Sequence, residues 1–224
     1  MKDSGIAKRL EMIRENIRSL AISNSRPPES IALIAVSKLN PIESVIEAAQ
    51  AGQMDFGENH VQELVAKHSQ RPDLRWHMIG PLQRNKAKLV VPVAKVVHTV
   101  DRAELAEELS KRAAGTGKTP QVLLEVNVAG EASKAGCTPE GAVGLAALVR
   151  GLPHLDLVGL MTIPPDTDDR ELARPFFRRL RELRDALGGG LSELSMGMSH
   201  DFAVAIEEGA TIVRVGTAIF GART

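Results

Sequence analysis

The chain contains no tyrosine, a single cysteine and few aromatic residues, which make up 3% of its 224 residues. Cys137 alone cannot form an internal disulfide, and one cysteine excludes a zinc site built from several thiolates. We expect no metal site. Lysine plus arginine and aspartate plus glutamate both number 28, so the formal net charge is zero. A balanced chain gives no electrostatic reason to expect nucleic acid or a membrane surface as a partner.

Long apolar runs are also missing. No stretch of about eighteen apolar residues could form a spanning helix, and residues 2–20, "KDSGIAKRLEMIRENIRSL", are too charged for the core of a signal peptide. We therefore expect a cytoplasmic protein. The chain is 43% hydrophobic, which is enough for one large core, and it has no low-complexity tract or linker. The expectation is a monomer with a single domain over residues 1–224.

The N-terminal segment, residues 1–24, has the apolar spacing of an amphipathic helix. The apolar positions are separated by four, three, four and three residues, as one helix face requires: Ile6, Leu10, Ile13, Ile17 and Leu20. This segment is predicted to pack on the rest of the protein as an extra helix. A break rich in proline and serine, "SNSRPPES", follows it.

From Ile31 onward, short apolar runs alternate with helical patterns. Runs buried on both faces and separated by helices are typical of a parallel sheet. Eight strand-helix units favour a closed (β/α)8 barrel, the TIM barrel fold, over an open sheet. The predicted strands are residues 31–37, 54–57, 76–80, 96–100, 122–128, 157–161, 191–196 and 211–216.

Lys38 follows the first of these runs, in "IALIAVSKLNPIES". Active sites of β/α barrels lie at the C-terminal ends of the strands, so Lys38 is predicted to point into the barrel mouth. Asn40 is placed to cap the next helix, and Pro41 suits its first position. The alternative is a lysine that extends to the rim and has no role.

The last two units carry a pattern typical of phosphate binding. "LSMGMSHD" contains Ser195, Gly197 and Ser199, and "IVRVGTAIFG" contains Gly216 and Thr217. Glycine lets the backbone approach a ligand, hydroxyls and free N–H groups at a helix start bind anions, and the loops after strands seven and eight are the usual phosphate site of barrels. Ordinary tight turns with helix caps are the alternative.

Arg214 lies between valines on the last predicted strand, where an unpaired guanidinium is costly. It could form an ion pair with a buried carboxylate such as Glu125 or Glu58, or it could point toward the same cavity as the phosphate loops. An amine at the mouth, a phosphate cradle opposite it and an arginine between them suggest an aldehyde phosphate held as a Schiff base. Pyridoxal 5′-phosphate fits this pattern best.

Several ordered motifs resemble the pyridoxal phosphate homeostasis protein family, which is similar in fold to the barrel domain of alanine racemase. They span Ile31 to Gly221: "AVSK", "FGENHVQE", "WHMIGPLQRNK", "TVDR", "VNVAGEASKAG", "GLMTI", "LSMGMSHD" and "VRVGTAIFG". The resemblance implies a fold-type III barrel that carries pyridoxal phosphate. It implies Lys38 as the Schiff-base lysine and these residues around the cofactor: Ser195, Gly216 and Thr217 at the phosphate, Arg214 at the pyridine nitrogen, and Asn59 and His77 near the ring.

The resemblance also implies a role in intracellular vitamin B6 and amino-acid homeostasis, with no established catalytic activity. Enzymes that use the cofactor are expected as partners. Two departures stand out: His60 replaces the tyrosine common after "GEN", and the second domain that supplies alanine racemase with a tyrosine base has no counterpart. A weak racemase or related pyridoxal phosphate enzyme is the first alternative. A barrel that binds another phosphorylated carbonyl, as an aldolase does, is the second.

Overall fold

The computed structural model describes residues 5–131 and 134–221, and its eight strands form one closed parallel barrel in chain order. The predicted barrel is therefore confirmed. The strands are β1 (Ala32–Val36), β2 (Asp55–Glu58), β3 (Arg75–Met78), β4 (Val96–Val100), β5 (Gln121–Glu125), β6 (Asp156–Met161), β7 (Glu193–Ser195) and β8 (Ile212–Val215).

Helices separate the strands and surround the barrel. They are α1 (Ile6–Ser23), α2 (Ile42–Gln50), α3 (Val61–Gln70), α4 (Ala87–Val90), α5 (Ala103–Ala114), α6 (Pro139–Gly151), α7 (Arg174–Leu187), α8 (Phe202–Glu207) and α9 (Thr217–Phe220). His60 precedes α3 and is exposed, so the substitution for tyrosine lies at a helix start. Within the described ranges, no helix is both long and apolar enough to span a bilayer.

The two faces of the strands bury different sets of side chains. One face packs against the helices in a large apolar core that includes Ala35, Phe56 and Trp76. The other face points into the barrel, where a smaller cluster fills the centre: Ile34, Val96, Leu123, Met161 and Ile212. Because side chains alternate along a strand, a polar residue two positions after one of these five also points inward. This parity determines which polar groups meet inside the barrel.

The predicted N-terminal helix lies over residues 6–23, and Ile6, Leu10, Ile13 and Ile17 are buried as the spacing requires. The helix packs against α8 and α9. The Arg9 Nε donates to the Ile219 carbonyl at 2.6 Å and joins the two ends of the chain.

Barrel closure places the first and last strands side by side. Ile34 pairs with Arg214 and Ala35 with Val215 in the β1–β8 ladder. The segments that follow β1 and β8 are therefore neighbours at the C-terminal rim. The phosphate loop was predicted opposite the lysine; the closed order instead makes the Gly216 loop adjacent to the turn that carries Lys38.

Candidate functional site

Lys38 lies in a tight turn at the C-terminal mouth of the barrel. β1 ends at Val36, two residues before Lys38, and the lysine side chain is half-buried. Asn40 does not cap α2, because its Nδ2 donates to the Lys38 carbonyl at 3.1 Å and Pro41 occupies the cap position. The next residue, Leu39, has a φ of 62°, which is uncommon for a residue other than glycine. The turn therefore has a defined backbone shape.

The loop after β8 approaches this turn closely. A Cβ added to Gly216 would lie 3.3 Å from the Val36 carbonyl oxygen, so glycine allows β8 to exit directly against β1. Thr217 is the exposed first residue of α9. The Ser199 Oγ accepts from the N–H groups of Gly216 at 3.3 Å and Ala218 at 3.4 Å. Two backbone N–H groups and the Ser199 hydroxyl thus meet in a loop that lies against the end of β1.

Gly197 shapes the loop after β7. Its φ is +91°, and a Cβ at this position would lie 2.6 Å from the Ala205 Cβ. Its carbonyl accepts from the Arg214 N–H at 2.9 Å. Glycine is thus required here by the backbone conformation and by the close packing against Ala205. The predicted approach of this glycine to a ligand stays a prediction.

Arg214 is buried inside the barrel and is bonded on two sides. Its Nη1 donates to the Ser195 Oγ at 2.6 Å, and its Nη2 donates to the Thr162 carbonyl at 3.0 Å. Burial lowers the pKa of Arg214 to about 10, while Asp201 and Glu125 favour its charged form. Of the two carboxylates suggested as its partners, Glu125 acts only through electrostatic attraction among the described contacts. Glu58 instead bonds to Lys67 at 2.6 Å.

The Ser195 hydroxyl points into the barrel, away from the loop where the sequence pattern put it. Ser195 ends β7 on the inward face and is fully buried. Its Oγ contacts Arg214 and the Nδ1 of His98, the latter at 2.9 Å. The hydroxyl that reaches the Gly216 loop belongs to Ser199, four residues later. The role at the phosphate loop that the pattern predicts for Ser195 therefore suits Ser199 better.

His77 is part of a hydrogen-bonded chain that crosses the barrel. Its Nε2 lies 3.1 Å from the Asp55 Oδ1, and its Nδ1 lies 3.0 Å from the His98 Nε2. Burial lowers the pKa of His98 well below its usual value, and the charges of His77 and Arg214 act in the same direction. Since both ring nitrogens of His77 have partners in the interior, this residue connects Asp55 to Arg214 through His98 and Ser195.

Asn59 lies at the mouth, directly after β2. It lines a cavity of about 230 Å³ together with residues at the ends of β3, β5 and β6. The remaining lining residues are Ile79, Gly80, Pro81, Glu125, Val126, Lys134, Ala135 and Ile163. The wall is mostly apolar, and Asn59, Glu125 and Lys134 bring the polar side chains.

Glu125 gives the site a pH-dependent group. Burial raises the pKa of its carboxyl to about 7, Asp101 adds to the shift, and Arg214 opposes it. The folded protein therefore holds a proton that the unfolded chain releases above the ordinary pKa of 4.5. Because the folded state binds more protons in this window, the free energy of unfolding falls as the pH rises from about 4.5 to 7.

We expect Glu125→Gln to remove this pH dependence. Glutamine resembles the protonated carboxyl, so at pH 8 the variant should be more stable than the wild type by about 2–3 kcal/mol, and near pH 4.5 the two should be equal. Urea unfolding at both pH values measures the difference. Glu104→Gln, an exposed change on α5, is the matched control. A Glu125→Gln protein whose stability falls with pH as steeply as the wild type would contradict the shifted pKa.

The sequence pattern included Ser199 among the loop hydroxyls, whereas the family resemblance implied Ser195 at the phosphate. Sequence patterns missed His98 and Lys67 altogether. His98 could have been found from the feature that drew attention to Arg214, which is a polar residue within an apolar strand. His98 is the polar residue in the middle of "VVHTV". Lys67 had no such signal, because it lies on an ordinary helix surface pattern, yet it is buried. Among the described residues, no group of three or more His, Cys, Asp or Glu side chains could hold a metal ion.

Comparisons with known proteins show which family the chain belongs to. Residues 9–224 match the family model described as "Alanine racemase, N-terminal domain". A Pseudomonas aeruginosa protein named "Pyridoxal phosphate homeostasis protein" is 47% identical over 222 residues, which cover 98% of this chain and 96% of that protein. The chain belongs to the pyridoxal phosphate homeostasis protein family. The resemblance to this family that the sequence indicated is therefore confirmed.

Solved structures separate this family from alanine racemase. The structure of PipY from Synechococcus elongatus is described as having PLP bound. PipY is 38% identical to this chain and superimposes with a TM-score of 0.85, and the match covers 96% of this chain and 100% of the PipY chain. Alanine racemase from E. faecalis has a TM-score of 0.71 at 19% identity, and only 58% of its chain is covered. The racemase likeness shows the shared barrel, whereas the homeostasis proteins match end to end.

Proposed function

We propose that this protein binds pyridoxal 5′-phosphate, holds it as a Schiff base on Lys38, and serves in pyridoxal phosphate homeostasis. The observation that carries the proposal is the pairing of β1 with β8, which brings Gly216 against Val36, two residues before Lys38. PipY, crystallised with PLP bound, supports the same cofactor for this barrel. Pyridoxal phosphate supplies an aldehyde, which an amine can attack, and a phosphate, which needs hydrogen-bond donors.

The residues of the mouth fit such a group. Gly216, Thr217 and Ser199 would bind the phosphate through backbone N–H groups and hydroxyls. Gly197 allows the tight loop beside them. A side chain at position 216 would crowd the Val36 carbonyl, so glycine keeps the loop close to the end of β1.

Arg214 and Asn59 would contact the ring. We propose Arg214 at the pyridine nitrogen, held in position by Ser195 and Thr162. A cationic partner disfavours protonation of that nitrogen and so weakens the cofactor as an electron sink. Asn59 would border the ring from the cavity side. His77 would act behind Arg214, through His98 and Ser195.

Racemisation is less well supported. It needs an acid and a base on opposite faces of the reacting carbon, and the chain has no tyrosine. His77 is bonded on both nitrogens inside the barrel, and His200 is exposed and contacts the Asp168 carbonyl. Burial raises the pKa of Cys137 to about 11, which keeps it a neutral thiol. A carrier role is the better conclusion, with enzymes that use the cofactor as its recipients.

The phosphate loop can be tested by substitution. We expect Ser199→Ala and Thr217→Ala each to weaken binding of pyridoxal phosphate by about 1–3 kcal/mol, since each removes a hydroxyl that donates to an anion. Ser192→Ala, an exposed hydroxyl before β7, is the matched control. Affinities for pyridoxal phosphate and for pyridoxal, measured by absorbance titration, check the result. Equal affinity of the wild type for the two compounds would exclude a phosphate site in these loops.

A carrier should also release its cofactor to a recipient. Mixing the loaded protein with an apo-enzyme that needs pyridoxal phosphate should restore that enzyme's activity in proportion to the cofactor supplied. A recipient that gains no activity while free pyridoxal phosphate reactivates it would argue against the delivery role.

A further inference from the structure

A buried polar cluster lies beneath the turn that carries Lys38. Lys67 on α3 extends inward, and its Nζ donates to the Glu58 Oε1 at 2.6 Å and to the Glu63 Oε2 at 3.2 Å. The Ser37 Oγ donates to the same Glu58 oxygen at 2.7 Å. The Lys67 side chain is 8% exposed and that of Glu58 is fully buried.

This cluster bonds to the backbone on both sides of Lys38. The Lys67 Nζ also donates to the Ser37 carbonyl at 2.8 Å, immediately before Lys38. The Leu39 N–H, immediately after it, donates to the Glu63 Oε2 at 2.8 Å. Two side chains one helical turn apart on α3 therefore fix the two residues that flank the lysine.

The turn needs such restraint. Leu39 has a φ of 62°, a left-handed conformation that is unfavourable for a residue with a branched side chain. Its side chain is 61% exposed, so burial of the leucine does not hold this conformation in place. The bond from the Leu39 N–H to Glu63 holds one side of the peptide unit between Lys38 and Leu39, and the Asn40 Nδ2 holds its carbonyl side.

A purely structural role does not explain this cluster, because burying its charged groups costs free energy. Burial raises the pKa of Glu58, although Lys67 and Ser37 both stabilise its charged form. Its second oxygen, Oε2, is buried with no hydrogen-bond partner among the described residues. An apolar pair of similar volume usually stabilises a fold as well as a buried ion pair does. What an apolar pair could not provide is hydrogen bonds to the Ser37 carbonyl and the Leu39 N–H.

We infer that Glu58, Glu63 and Lys67 are positioning residues for Lys38. They fix the peptide units before and after the lysine, and so set the direction in which its amine leaves the end of β1. The inference rests on the proposed function, in which Lys38 forms the Schiff base. Together these three side chains form a clamp that acts through the backbone of the Lys38 turn.

Glu63 is the residue to vary, because it is only partly buried and its loss should leave the fold intact. We expect Glu63→Ala to lower the equilibrium constant for Schiff-base formation about tenfold, by loss of the hydrogen bonds to Leu39 and Lys67. Glu63→Gln retains an oxygen that can accept from the Leu39 N–H and should stay within about twofold of the wild type. Gln62→Ala, an exposed change in the same helical turn, is the control.

A double-mutant cycle separates positioning from support of the fold. Binding of pyridoxal phosphate is measured in the wild type, Glu63→Ala, Lys38→Ala and the double variant. If Glu63 acts through Lys38, its substitution weakens binding only when Lys38 is present. An equal loss in both backgrounds, or no loss in either, overturns the inference. A wild type that forms no Schiff base, with an absorbance spectrum like that of Lys38→Ala, overturns the proposed function first.

Lys67→Met offers a second measurement. It removes three hydrogen bonds and leaves Glu58 buried without its cation, so we expect an earlier urea midpoint together with a lower Schiff-base constant. Loss of stability with an unchanged Schiff-base constant would assign the cluster to the fold alone and contradict the clamp.

Discussion

Lys38→Ala should abolish the visible absorption of the protein loaded with pyridoxal phosphate. The band requires a Schiff base, and the proposed site provides one amine beside the Gly216 loop. The proposed phosphate donors are separate from this amine, because they follow β7 and β8. The variant should therefore still bind pyridoxal phosphate weakly, and it should not bind pyridoxal, which has no phosphate. Absorbance spectra and equilibrium dialysis with both compounds measure the two effects.

Lys134 provides the matched control for this result. Its Nζ donates to the Pro164 carbonyl at 2.7 Å, and it lines the cavity that contains Asn59. Lys134→Ala removes an amine from the same mouth and should leave the band in place. If Lys38→Ala still forms the band and Lys134→Ala loses it, the Schiff base is on Lys134, on the other side of the barrel.

Arg214→Ala should cause the largest loss of stability among the site variants, about 3 kcal/mol in the free energy of unfolding. The substitution opens a cavity in the barrel and leaves the Thr162 carbonyl without the donor that the arginine supplies. It also removes the last member of the chain of bonds that runs from Asp55 through His77, His98 and Ser195, so the Ser195 Oγ loses the guanidinium as a donor. Cofactor binding should weaken as well, since the guanidinium is the proposed partner of the pyridine nitrogen.

Urea unfolding at pH 7 measures this loss. Arg18→Ala on α1 removes an exposed guanidinium of the same kind and should change stability by less than about 0.5 kcal/mol. An Arg214→Ala protein as stable as this control would mean that the interior bonds of Arg214 contribute little to the fold.

The strands could be predicted well because parallel strands buried on both faces form apolar runs in the sequence itself. Predicted residues 96–100 coincide with β4, and the other strands overlap the predictions with shifts of one to three residues at their ends. The largest shift is at β5, predicted to reach residue 128 and observed to end at Glu125. Val126 and Val128 are buried although they lie beyond the end of the strand. The prediction was too long because a hydrophobic pattern indicates burial and does not show which residues pair with a neighbouring strand.

The site was harder to predict where the outcome depends on side-chain direction. Ser195 and Ser199 both belong to "LSMGMSHD", and the sequence alone does not show where the strand stops. The structure ends β7 at Ser195 and turns that hydroxyl inward, which leaves Ser199 for the loop. His77 was expected near the ring but bonds to Asp55 and His98 in the interior. Sequence patterns could not reveal the clamp, because the bonded residues Lys67 and Ser37 are 30 positions apart in the sequence.

The most direct test of the account is to locate the covalent bond. The protein is loaded with pyridoxal phosphate, reduced with borohydride and digested, and the labelled peptide is identified by mass spectrometry. We expect the reduced cofactor on Lys38, at one equivalent per chain, with labelling lost in Lys38→Ala. Reduced cofactor found on Lys86 or Lys134, with Lys38 unmodified, would contradict the central claim.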